Sequence, residues 1–109
     1  MGGIHEMAPL MMLSGVNTPV CAVYLINKPL FVIGKAADCD AVLHFSSEIS
    51  RKHAQISWAD GRYTLIDLGS TNHTYLNGKM LIPNQPYPIR ERDMISFSGF
   101  TFVAEQLTL

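Results

Sequence analysis

Hydrophobic and polar positions along this chain alternate over short runs, and no stretch of ten or more residues carries a helical period. Between His53 and Trp58, Ala54, Ile56 and Trp58 fall on one side, with Gln55 and Ser57 on the other. That is the period of a half-buried strand. Arg62 to Asp67 repeats the pattern, with Tyr63 and Leu65 facing one way. The turn Ala59-Asp60-Gly61 joins the two runs into a hairpin. A second hairpin is predicted over Tyr75 to Ile82, around Asn77-Gly78. Asn-Gly suits a type I′ turn because both central residues need positive φ. Val20–Ile26, Leu30–Ile33 (ended by Gly34) and Ala41–Phe45 are apolar, β-rich runs. Met94–Phe97 and Phe100–Ala104 flank Ser98-Gly99 as two more. Pro83 to Pro88 holds three prolines and is predicted as a loop.

Short strands recurring every ~8–12 residues with turn signals between them predict an all-β fold. The expected architecture is a two-sheet antiparallel β-sandwich of about 10–11 short strands. Residues 1–17 show no clean period, although Ala8–Leu13 is apolar. They are expected to be a flexible N-terminal arm, or residues appended in cloning, ahead of a folded domain over 18–109.

Composition narrows the partner classes. At 109 residues with 48% hydrophobic and 16% charged residues, the chain is one globular domain's worth and is not a disordered segment. A net charge of −1 excludes a broadly basic nucleic-acid or membrane-surface binder. Any bound anion must be met by a local cluster. Cys21 and Cys39 form no C-x-x-C and are expected as reduced thiols in a cytoplasmic protein. No apolar run approaches the ~20 residues of a membrane span, and no signal-peptide pattern opens the chain.

The candidate chemistry lies in the loops. The hairpin turn at 59–61 sends the loops before His53 and after Asp67 to the opposite end, side by side. The loop after Gly34 is expected at the same end. That end gathers the cations Lys35, Arg51 and Lys52, the hydroxyls of Ser50, Ser70 and Thr71, and the amide of Asn72. Such donors around a glycine-bearing loop suit a phosphate or another small anion. Asp67 is expected to accept backbone N–H groups of the turn after it. Charge alone is equally compatible with an ordinary solvated loop.

The ordered motifs "IGK", "SRKH" and "LIDLGSTNHTYLNG" resemble those of the forkhead-associated (FHA) domain, from about Pro19 to Gln106. The resemblance implies an FHA/SMAD-like sandwich that binds phosphothreonine peptides in Ser/Thr kinase signalling. It implies that Lys35, Ser50, Arg51, Thr71 and Asn72 meet the phosphopeptide, Asn72 through the peptide backbone. It implies supporting roles for Gly34, His53, Asp67, Gly69 and Ser70, with His53 bracing the loops from beneath. A niche for the extra methyl group would favour phosphothreonine over phosphoserine. No cofactor, metal or catalysis is implied.

Two positions depart from that pattern. Lys35 stands where the family has Arg, keeping the charge but losing the planar fork. His73 stands where the family usually has Gly, at a position where positive φ is costlier for His. These departures motivate a second reading, a phospho-independent interaction module on the same fold. A hydrolase using Ser50 and His53 is disfavoured because no G-x-S-x-G elbow is present. His44, His53, His73 and Asp67 match no metal-ligand spacing. Asn77-Gly78 is assigned to turn formation alone, and Arg90-Glu91-Arg92-Asp93 to a solvated turn.

Overall fold

Alternation of buried and outward side chains resolves into eleven strands in the computed structural model, which describes residues 10–107. They are β1 (Leu10–Gly15), β2 (Val23–Ile26), β3 (Leu30–Gly34), β4 (Ala41–Val42), β5 (Ala54–Ala59) and β6 (Arg62–Asp67). β7 (Thr74–Leu76), β8 (Lys79–Met80), β9 (Tyr87–Ile89), β10 (Met94–Phe97) and β11 (Phe100–Leu107) follow. A six-stranded sheet has the order β2-β1-β11-β10-β7-β8, and a five-stranded sheet the order β4-β3-β5-β6-β9. No helix occurs among the described residues, so none there could cross a membrane.

The two sheets meet over one core. Met11, Leu13, Ile95, Phe97 and Phe102 from the larger sheet pack against Phe31, Ile33, Ile56 and Leu65 from the smaller. The expected sandwich is therefore present, with one refinement. β3 and β4 pair in parallel over Ile33↔Ala41 and Gly34↔Val42, whereas every other pairing is antiparallel.

The expected arm over residues 1–17 is corrected where the structure describes it. Leu10–Gly15 is β1, an interior strand paired with both β11 and β2. Met11 and Leu13 point into the core, each 1% exposed. The part of that expectation falling on residues 1–9 lies outside the described residues. A second correction concerns 83–88. Tyr87–Ile89 pairs with β6 as an edge strand, so Pro88 loses no ladder bond on its outer side. The run Ala41–Phe45 yields only two strand residues, and the Leu43 amide closes the short parallel ladder by donating to the Gly34 carbonyl at 2.7 Å.

Both hairpins form as the sequence dictates. Asp60 and Gly61 link Ala59 to Arg62, with φ of 54° and 76°. Asn77 and Gly78 take φ of 51° and 83° between Leu76 and Lys79. Asn77 also does more than turn the chain. Its Oδ1 accepts the Met94 amide at 2.9 Å and its Nδ2 donates to Asp93 at 3.1 Å, tying this hairpin to the turn before β10.

Candidate functional site

Three loops converge where β3 ends, β5 begins and β6 ends. Their backbones are bonded directly: Lys35 N–H donates to the Ser50 carbonyl at 2.9 Å and Ala36 N–H to the Arg51 carbonyl at 3.0 Å. Gly34 makes this approach possible. A Cβ there would overlap the Arg51 carbonyl oxygen and lie 2.8 Å from its carbon. The sequence expectation that the loop after Gly34 reaches this end is thus met.

The loop after β6 is built around Asp67, 1% exposed. Its Oδ2 accepts the amides of Gly69 and Ser70 at 3.0 and 3.1 Å. Its Oδ1 accepts the hydroxyls of Ser70 at 2.5 Å and Thr74 at 2.6 Å. Burial works to raise the Asp67 pKa, but these four donors together hold it below the ordinary carboxylate value. Gly69, at φ 78°, lets the chain turn around the carboxylate. Thr74 is not among the sequence candidates, although it is the second Thr of the quoted motif.

His53 sits beneath both loops, fully buried and edge-on to Phe97 with ring centroids 5.8 Å apart. Its Nδ1 accepts the Ser50 amide at 3.1 Å and its Nε2 lies 2.9 Å from the His73 carbonyl. An amide only donates and a carbonyl only accepts. The ring is therefore neutral with its proton on Nε2. Burial, the largest influence, depresses its pKa. His73 meanwhile adopts φ 70°, the left-handed conformation that Gly would take there. Its carbonyl also accepts the Ser98 amide at 2.9 Å, and its ring packs against Tyr75 at 6.5 Å. At this φ, His73 presents its carbonyl to His53.

Above this brace lies an open depression of about 350 Å³. All five predicted contact residues, Lys35, Ser50, Arg51, Thr71 and Asn72, line it. Ser50 Oγ accepts the Thr71 amide at 3.0 Å, which joins two walls and leaves the hydroxyl proton to point elsewhere. Asn72 Nδ2 donates to the Glu48 carbonyl at 2.9 Å. Lys52 does not join the group, because it pairs with Asp38 at 3.2 Å. Lys35 and Arg51 have no carboxylate within 4 Å among the described residues. His44, His53 and His73 do not come together, and no group of three His, Cys, Asp or Glu is placed for a metal among the described residues. His73 does not line the depression. Glu48, Ile49 and Ser47 do line it, and sequence reading gave them no part.

The sequence matches the family model of the FHA domain over residues 31–98. A probable E3 ubiquitin-protein ligase, dma1 of Schizosaccharomyces pombe, is 36% identical over 66 residues, which are 57% of this chain and 25% of that protein. An oxoglutarate dehydrogenase inhibitor of Corynebacterium diphtheriae is 34% identical over 80 residues, 73% of this chain and 53% of that protein. The chain spans from a quarter to about half the length of these curated relatives. Among solved structures, the N-terminal FHA domain of Rad53p from S. cerevisiae, in complex with a phosphothreonine peptide, superposes with a TM-score of 0.79 at 22% identity. That match covers 90% of this chain and 94% of the other.

Proposed function

We propose, from the premise that this chain belongs to the FHA-domain family, that it is a phosphothreonine-dependent peptide-binding module. One observation carries the reading. Lys35 and Arg51 face a shared depression without a carboxylate partner among the described residues, while the neighbouring Lys28 and Lys52 are each paired with an aspartate. Two cations without a close ion-pair partner at one depression favour a phosphate dianion there.

The neutral donors suit the same ligand. The Ser50 oxygen is already occupied as an acceptor, so its proton is free to donate to a phosphate oxygen. Arg51 offers a planar fork and Lys35 a point charge. Asn72 has a second amide hydrogen and a carbonyl with which to hold the peptide backbone. Recognition makes and breaks no covalent bond. The partner is a phosphothreonine-containing protein in cytoplasmic Ser/Thr kinase signalling. The similar Rad53p domain, solved in complex with such a peptide, supports this choice of ligand.

Affinity should lie in the micromolar range, Kd about 1–100 μM, because an open loop-end site buries little surface. Calorimetry with matched phosphothreonine, phosphoserine and unphosphorylated peptides tests the reading. The phosphothreonine form should bind most tightly. Arg51→Ala should lose affinity for it by about tenfold or more, the loss of a charge-assisted pair. If phosphorylated and unphosphorylated peptides bind alike, the domain is a phospho-independent interaction module and this reading is wrong.

A further inference from the structure

Among the residues lining the depression, Glu48 is the single carboxylate. It lies in the loop between β4 and β5 and is held from two sides. Its backbone carbonyl accepts Asn72 Nδ2 at 2.9 Å, and its Oε1 accepts the Ser98 hydroxyl at 2.7 Å. These contacts cross 24 and 50 residues of sequence. No cation stands within 4 Å of Glu48 among the described residues. The other carboxylates nearby are committed: Asp38 to Lys52, and Asp67 to its four donors.

A fixed, unpaired carboxylate beside a seat for a dianion is an electrostatic cost unless the ligand brings a cation to it. We infer that Glu48 selects phosphopeptides with a basic side chain close to the phosphothreonine, an inference that rests on the phosphothreonine reading above. The depression then presents two poles. Lys35 and Arg51 attract the phosphate, and Glu48 attracts a lysine or arginine a short reach away along the peptide. An acidic residue or a second phosphate at that place is repelled. The Ser98 hydroxyl fixes the carboxylate before binding, so less side-chain entropy is lost on pairing than for a free surface glutamate.

The test is calorimetry with a phosphothreonine peptide in which arginine is scanned through the flanking positions, each also made as glutamate and without the phosphate. One position should show arginine binding about two- to fivefold more tightly than alanine, the range of a partly exposed ion pair. Glutamate there should bind more weakly than alanine. Glu48→Gln keeps an oxygen for Ser98 and leaves the backbone bond to Asn72 intact. In that variant the arginine and glutamate preferences should vanish while phosphorylated peptides still outbind their unphosphorylated twins. Asp38→Asn serves as a control and should leave the arginine preference unchanged. If no position favours arginine, or if the preference survives Glu48→Gln, the inference is overturned while phosphothreonine binding stands. Loss of phosphate dependence in the wild-type chain would instead sink the functional reading beneath it.

Discussion

Asp67 illustrates how one buried side chain shapes a loop beside the depression. Four donors converge on its two oxygens, three of them from Gly69 and Ser70 in the loop itself and the fourth from Thr74 at the start of β7. A buried carboxylate that loses a donor keeps most of its desolvation cost. Thr74→Val, which preserves shape, should therefore cost about 1–3 kcal/mol of stability. Urea unfolding of the variant measures it. A change near zero would mean that water or another group replaces the Thr74 hydroxyl. His53 plays the matching part on the other loop, and its tautomer follows from its partners: the Ser50 amide on Nδ1 and the His73 carbonyl on Nε2. This brace explains why His73 is tolerated where glycine is usual. What the brace needs is the carbonyl at position 73, and His73 supplies it at φ 70°.

At the level of elements, legibility depended on contrast. β5 and β6 alternate buried and outward residues over six positions each, so their period was plain in the sequence. The turns at Asp60-Gly61 and Asn77-Gly78 were equally plain, since positive φ is written into the residue types. β1 was not legible. Its outward residues Leu10 and Met12 are as apolar as the inward Met11 and Leu13, so no polar residue marks the alternation. β9 was hidden by Pro88, which an edge strand accepts and an interior strand does not. The five residues proposed to meet the ligand all line the depression, and the sequence points to them because they occupy two short motifs and one glycine corner. Glu48 is visible in the sequence as a carboxylate near this end, but no role follows there because its partners Asn72 and Ser98 are far away in sequence. The placement of β1 yields a prediction. As an interior strand with Leu13 in the core, Leu13→Ala should destabilise the domain by about 2–5 kcal/mol. A loosely attached arm would show almost no change in the same denaturation experiment.

Across the whole molecule the titrating groups point to a stability plateau with an edge on each side. His53 is held neutral below its ordinary value of 6.5 by burial first of all. In the pH range beneath 6.5 the unfolded chain takes up a proton that the folded chain refuses, so stability declines on acidification. Asp40, bonded to Lys28, and Asp38, bonded to Lys52, are both shifted below the ordinary 3.8, as is Asp67. Their stabilising effect is full above that value and disappears as pH falls through their lowered folded-state values, giving a second acid stage. On the alkaline side the Cys39 thiol and the Tyr24 and Tyr63 phenols are raised by burial above 9.0, 10.0 and 10.0. There the unfolded chain releases protons first, so stability is full below those values and is lost as pH climbs past them. The urea midpoint should accordingly be flat between about pH 6.5 and pH 9 and fall in both directions. Peptide affinity has its own acid limb, because the phosphate takes up a proton near pH ~6, so the two profiles must be recorded separately. Nitrogen-detected NMR of the imidazoles identifies the cause of the first acid stage. His53 should hold its Nε2–H neutral form well below pH 6.5 and take up its proton only as the midpoint drops. A His53 that charges at 6.5 or above in the folded domain would contradict the neutral brace and remove that stage from the profile.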